Sequence, residues 1–375
     1  MECITKIPYT DLGSQHAALK DELLAVTAKI FESCKFILGP EVEEFEHRFA
    51  PLCGTQFAVG VNSGTDALIL ALKALEIGPG DEVITPPNGF VSSVSAVIQV
   101  GAKPVFVDVG EDYNIDPRLI ECAVTTRAKA ILPVHLTGNP AKMDQILEIA
   151  RKHGLAVVED AAQAVSAELN GKKVGSFGDI GCFSLHPLKT LNACGDGGVL
   201  TTNAPLLYEK LNILRNNGFR NRDECQTFSI NSRLDSLQAA LLLVKMKYLE
   251  EWTEARRQNA SIYREKLQHV PAVRLPLDGP GIRHVYHTFV IMAEGRDALK
   301  SYLESNGVQT KIHYPIPIHL QPAAKHLGYR RGDFPLTERQ AEMILSLPVY
   351  PELNEEQINY ITQCIKNFYQ RKRLQ

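Results

Sequence analysis

Between Phe57 and Asp160 short apolar runs and helical patterns take turns with only a few residues between them. Strand-like runs occupy Phe57–Val61, Glu82–Thr85, Pro104–Val109, Ala128–His135 and Leu155–Val158. Helical patterns lie between them at Ala67–Leu75, near Val91–Val100, near Pro117 and at about Ala141–His153. Parallel strands need a crossover of a dozen or more residues, and a helix is the usual one. The alternation therefore predicts an α/β fold: a mostly parallel sheet flanked by helices on both faces. A helix over Ser14–Phe36, a Gly39-Pro40 turn and a helix opening with Glu41 precede it, and Asn170-Gly171 reads as a two-residue hairpin turn. A long helical pattern, Ser232–Leu267, leads to a smaller α+β unit with strands at His287–Met292 and Val308–Ile312. Its helices fall at Arg296–Ser305, near Thr337–Leu345 and at Glu355–Gln370. At 375 residues the chain is too long for one core. The expected division is a large domain over 1–250 and a small C-terminal domain over 251–375.

Open α/β sheets bind ligands beyond the carboxyl ends of their strands, so the residues delivered there carry the chemistry. The run Leu155–Val158 ends in Glu159-Asp160, and a second strand, Asp179–Ser184, delivers Ser184 and, five positions on, Lys189. Taken singly, Asp160 also suits the cap of a helix starting at Ala161, and a lone lysine is ordinarily solvated surface. Gly195, Gly197 and Gly198 follow the lysine closely, however, where backbone must approach something. A lysine, a carboxylate and a hydroxyl at neighbouring strand ends are what pyridoxal phosphate (PLP) requires. The lysine forms the Schiff base and the aspartate pairs with the pyridinium nitrogen. Upstream, Ser63-Gly64-Thr65-Asp66 opens an apolar helix and offers amides and hydroxyls to a phosphate, or simply caps that helix. It is neither a Walker A loop nor a dinucleotide glycine fingerprint. In the second unit, prolines fix the stretch Lys311–Pro322 while His313, Tyr314 and His319 project, either to a polar ligand or to solvent.

The composition, 45% hydrophobic and 22% charged with a formal net charge of −3, predicts neither a nucleic-acid nor a membrane partner. The one basic block, Arg371-Lys372-Arg373, reads as a solvated helix end. No apolar run approaches bilayer length, and Met1-Glu2-Cys3-Ile4 lacks a charged-then-apolar leader, so a cytoplasmic protein is expected. Eight cysteines, Cys3 among them, show no C-x-x-C pair or histidine cluster, which predicts no metal site and no disulfide framework. Cys194, near the lysine, reads as a packing residue.

From F-I-L-G-P-E-V-E-E-F-E at Phe36 to S-L-P-V-Y-P at Ser346, the chain resembles the PLP-dependent nucleotide-sugar aminotransferases of the DegT type, within the fold-type I aminotransferase superfamily. In that resemblance Lys189, in S-L-H-P-L-K, matches the lysine bonded to the cofactor. Asp160, in E-D-A-A-Q-A, matches the partner of the pyridine nitrogen, and Gln163 the residue beside the ring hydroxyl. Ser63, Gly64, Thr65 and Ser184 match the phosphate binders, and Phe90, in P-P-N-G-F-V-S-S, the aromatic stacked on the cofactor. Asn231 matches an asparagine that reaches the phosphate from the neighbouring subunit, although Ser229-Ile230 stands where the family has Gly-Tyr. His313, Tyr314 and His319 resemble the substrate-side loop.

The resemblance implies transfer of an amino group, with L-glutamate as donor, to a keto sugar linked to a nucleotide. The loop H-Y-P-I-P-I-H-L-Q favours a 3-keto over a 4-keto substrate. It also implies a homodimer with shared active sites. Relatives that dehydrate sugars carry histidine in place of Lys189, so the lysine favours amination over a PLP-dependent dehydratase. A non-catalytic PLP-binding regulatory protein is the other alternative, and the missing glycine fingerprint disfavours a nicotinamide-dependent oxidoreductase.

Overall fold

A computed structural model describes residues 6–277 and 279–373; the Met1–Ile4 start, with Cys3, lies outside the described residues. Helices α1 (Leu12–Ser33) and α2 (Pro40–Leu52) lead into the large unit. There β1 (Phe57–Val61), α3 (Gly64–Ala74), β2 (Glu82–Thr85), α4 (Ser92–Gln99) and β3 (Lys103–Phe106) follow in turn. Next come α5 (Pro117–Ala123), β4 (Ala128–Ile131), α6 (Met143–His153) and β5 (Ala156–Asp160). The hairpin β6 (Glu168–Leu169) and β7 (Lys172–Lys173) precedes β8 (Ile180–Ser184), β9 (Gly198–Thr202) and α7 (Pro205–Arg215). Asn170 and Gly171 both take positive φ (52° and 78°), the geometry that a two-residue hairpin of this twist demands.

The seven strands are ordered β1-β9-β8-β5-β4-β2-β3, with β9 alone antiparallel to both of its neighbours. Period-two alternation divides the side chains between the two faces. Val83, Val158, Ile180 and Leu200 pack on one core with α3, while Ile84, Ile131 and Val157 pack on another with Ile146 of α6. Both faces are thus apolar, which is why these strands read as nearly continuous hydrophobic runs.

The long pattern Ser232–Leu267 is two helices, α8 (Ser236–Met246) and α9 (Leu249–Leu267), broken at Lys247-Tyr248. The second unit holds β10 (Val273–Arg274), β11 (Ile282–Arg283), β12 (Phe289–Ala293), α10 (Arg296–Ser305), α11 (Pro335–Met343), β13 (Ile344–Leu347) and α12 (Glu355–Arg373). Two expectations change here. Val308–Ile312 forms only isolated bridges, Val308 with Ile7 and Lys311 with Ser346. The helix expected to reach Leu345 ends at Met343, because Ile344–Leu347 pairs antiparallel with β12, from Phe289↔Leu347 to Met292↔Ile344. Ile7, Tyr263, Phe289, Leu303 and Ile361 share the core of this unit. It is tied to the sheet by Asp108, which accepts the amides of Leu336 and Thr337 (3.0 Å each) and so caps α11.

At the end of β5 the alternation sends Glu159 and Asp160 to opposite faces. Glu159 is fully buried and accepts the amides of Gly175 (2.9 Å), Phe177 and Gly178 (2.8 Å each), with His135 Nε2 at 3.0 Å. Ala141 N–H donates to His135 Nδ1 (3.0 Å), which leaves the ring proton on Nε2 to be donated to Glu159. Replacing Glu159 by leucine strands the amides of Gly175 and Phe177, both buried, and of part-buried Gly178, and is expected to cost about 3 kcal/mol or more. Denaturant unfolding measures it, and a loss under about 1 kcal/mol would contradict this role.

Candidate active site

The open face of β5 carries Asp160 into a cavity of about 540 Å³ at the carboxyl ends of the strands. Asp160 is 6% exposed; Ser93 of α4 donates its hydroxyl to Oδ2 (2.6 Å) and Ala162 its amide to Oδ1 (3.2 Å). No helix follows at Ala161, so the capping reading of Asp160 falls. Its carboxylate is oriented from two sides, as the partner of a protonated ring nitrogen must be.

Lys189 follows β8 through a tight turn, its amide bonded to His186 O (2.8 Å) and its carbonyl to Asn192 Nδ2 (3.2 Å). Burial in the cavity brings its ammonium down from the ordinary lysine range to about 8, a drop that the negative charge of Asp160 offsets only in part. At one end of the cavity, Ser63 Oγ caps α3 by accepting Asp66 N–H (3.1 Å), and the hydroxyls of Thr65 and Ser92 lie 2.8 Å apart. A Cβ at Gly64 would stand 2.7 Å from Ser184 Cβ, so only glycine lets the helix start and the Ser184 hydroxyl meet. Amides, hydroxyls and a positive helix end converge there on a space suited to a phosphate.

Phe90 lies at the cavity with its ring centroid 6.3 Å from that of Tyr314. Gln163 accepts Thr137 N–H through Oε1 (2.7 Å) and donates through Nε2 to the Tyr314 hydroxyl (2.9 Å). Burial and the charge of Asp160 push that hydroxyl up to about 12. His313 bonds Ser346 Oγ through Nδ1 (2.7 Å); burial, with the charges of Lys189 and Lys311, brings it down to about 4. It is therefore neutral at pH 7.

Ser63, Gly64, Thr65, Phe90, Asp160, Gln163, Ser184, Lys189, His313 and Tyr314 all line this one cavity. His319 does not: it is 2% exposed, bonded through Nε2 to Glu338 (3.0 Å) and packed edge-on against Phe334. Asn231 lies on the surface, away from the cavity of its own chain, bridged to Asn216. Cys194 is exposed, not packed, with Sγ 3.6 Å from Lys245 Nζ. Sequence reasoning missed Ser92, Ser93, Tyr9, Arg256 and His287, which also bear on the site. Ser92 and Ser93 were within reach, standing in the same P-P-N-G-F-V-S-S as Phe90. Among the described residues no group of three or more His, Cys, Asp or Glu could hold a metal ion. The donor set fits PLP, with a cradle for its phosphate, a carboxylate for its ring nitrogen and a lysine whose neutral form is accessible near pH 8.

In cofactor-free protein an amine-selective reagent is expected to modify Lys189 with a rate that rises through a midpoint near pH 8, followed by peptide mapping. A midpoint in the range of exposed lysines, near 10.4, would contradict the burial described here.

A sequence model of the DegT/DnrJ/EryC1/StrS aminotransferase family matches residues 17–366. The chain is 46% identical over 363 residues to a UDP-N-acetyl-3-dehydro-alpha-D-glucosamine 3-aminotransferase of Acidithiobacillus ferrooxidans, covering 96% of this chain and 98% of the relative. The crystal structure of Streptomyces venezuelae DesV in complex with a ketimine intermediate superposes with a TM-score of 0.95 at 42% identity, covering 97% of this chain and 98% of that one. NtdA from Bacillus subtilis, with the cofactor PMP bound, gives 0.91 at 32% identity, covering 98% and 86%. Sequence and fold agree with the chemistry of the cavity: the chain belongs to the DegT/DnrJ/EryC1/StrS aminotransferase family and is a PLP-dependent sugar aminotransferase.

Proposed function

We propose that this enzyme transfers an amino group from L-glutamate to a nucleotide-linked sugar bearing a 3-keto group, as a cytoplasmic homodimer with shared active sites. The observation that carries the reading is the meeting of Lys189, Asp160 and the Ser63–Thr65 helix start in one cavity. The 3-keto preference is supported by the Acidithiobacillus relative, whose name places its amino transfer at C3. Among the described residues no helix is long and apolar enough to cross a membrane.

In this reading residues 1–250 hold the cofactor and 251–375 supply the substrate-side loop. Ser63, Gly64, Thr65 and Ser184 would hold the phosphate, and Phe90 and Gln163 would contact the ring from the cavity wall. When bound, PLP supplies an electron sink for the pair released at the donor's α-carbon. Asp160 keeps the proton on the ring nitrogen, which sustains that sink. Lys189 Nζ, in its neutral form, would act as the general base that takes the proton from the donor's α-carbon. For the sugar the same amine moves the proton in the opposite direction. His313 and Tyr314 face the sugar, and Asn231 completes the phosphate site of the other subunit.

The visible band of the PLP-loaded enzyme is expected to fade on addition of L-glutamate and to return with the keto-sugar nucleotide. A band that glutamate leaves unchanged would refute the donor. Lys189→Ala is expected to lower turnover by at least roughly 10²–10⁴-fold, the share of a positioned general acid–base group. Near-normal activity would sink the assignment. Mixing inactive Lys189→Ala subunits with Asn231→Ala subunits is expected to restore activity, because one site of the mixed dimer keeps both residues. No restoration would count against sharing.

A further inference from the structure

One wall of the cavity is cationic and underused by the chemistry above. Arg256, on α9, lines the cavity, and its Nη1 donates two long bonds to backbone carbonyls, Tyr286 O (3.5 Å) and Val349 O (3.4 Å). Its Nε is buried with no acceptor. Glu352 acts on it through charge alone, and neither cavity-lining acid, Asp160 or Asp196, pairs with it. Beside it His287, the residue after Tyr286, also lines the cavity, and its Nδ1 is buried without a partner. Burial, with the positive charges of Lys189 and Arg256 added to it, holds this imidazole well below the usual histidine range. Two unmet polar nitrogens thus share a wall with the reactive lysine.

A buried guanidinium held only by two long bonds from one nitrogen is under-satisfied, and a ligand that supplies a further acceptor lowers that cost. With Nη1 turned to the backbone and Nε enclosed, Nη2 is the nitrogen left to meet a ligand oxygen, and a charged donor there suits a carboxylate. Phosphate is provided for elsewhere in the cavity, at the start of α3. We infer that Arg256, with His287 beside it, forms an anion subsite that holds a carboxylate of the amino donor and thereby sets donor choice. This rests on the transaminase reading above.

The test uses PLP-loaded enzyme and the Arg256→Gln and Arg256→Lys variants, with thermal unfolding confirming that each is folded. For Arg256→Gln the half-saturating L-glutamate concentration, read from the cofactor band, is expected to rise about 10- to 100-fold. Arg256→Lys, which keeps the charge, is expected to lose less. Affinity for dTDP and UDP, measured by calorimetry, is expected to stay unchanged in both. Glutarate, which has carboxylates but no amine, is expected to bind the parent enzyme and not Arg256→Gln. Loss of nucleotide affinity with unchanged glutamate response would reassign the wall to the diphosphate and overturn the inference. Should glutamate fail to react even with the parent enzyme, the donor reading falls, and glutarate decides the subsite: binding that Arg256→Gln abolishes supports it, and no binding overturns it.

Discussion

The bond set of Glu159 fastens the sheet to the chain that follows it, and the placement of Asp160, Ser184 and Lys189 at the cavity depends on it. Its two oxygens collect three amides from 175–178 and the Nε2 proton of His135. This carboxylate therefore replaces with side-chain acceptors the ladder bonds that a tight turn cannot make. The turn so held is the entry to β8, and β8 carries Ser184 and Lys189 to the same edge as Asp160. Neighbouring acids in one strand thus divide the work by parity: one secures the scaffold from below, the other faces the ligand.

That division was half legible in the sequence. An apolar run closing in two acids at a strand end announces a ligand edge, but only three-dimensional structure shows which acid turns outward. The alternation of strands and helices, with the run Asp179–Ser184, likewise predicted six of the seven strands, because apolar runs leave a local signature; β9 (Gly198–Thr202), short and opened by a glycine, was missed although it is buried throughout. β13 left none: Ile344–Leu347 continues the pattern of α11, and its pairing with β12 is a long-range fact. His319 lies apart from His313 and Tyr314 for a related reason. Proline spacing marks a rigid loop, yet it does not say which of its side chains face the core, and Glu338, which binds His319, lies on another element. Arg256 and His287 sit in an amphipathic helix and a strand entrance, where nothing local distinguishes a buried cation from a solvated one.

The charges of the cavity fit one another. Lys189 and Arg256 are both brought down by burial, the latter to about 10; burial and the field of Lys189 lower both His287 and His313, with Arg256 adding to the first and Lys311 to the second. Behind the lysine a second amine, that of fully buried Lys245, donates to Asn192 Oδ1 (2.7 Å) and O (2.9 Å), and Asn192 Nδ2 in turn holds the Lys189 carbonyl. The region is rich in nitrogen donors and poor in free acceptors. Such a site draws anionic groups and discriminates little against them by field alone, so the choice among them falls to geometry.

The contact of Gly64 with Ser184 joins segments far apart in the sequence, as does the approach of Gly198 to the Ser63 carbonyl. Neither helix start nor hydroxyl offers the cradle until β1, β9 and β8 have assembled side by side. A chain emerging during synthesis consequently cannot capture the cofactor early, and the vitamin-derived ligand meets a finished protein. A ligand held in such a late-formed cradle binds the native state and so stabilises the assembled sheet against unfolding.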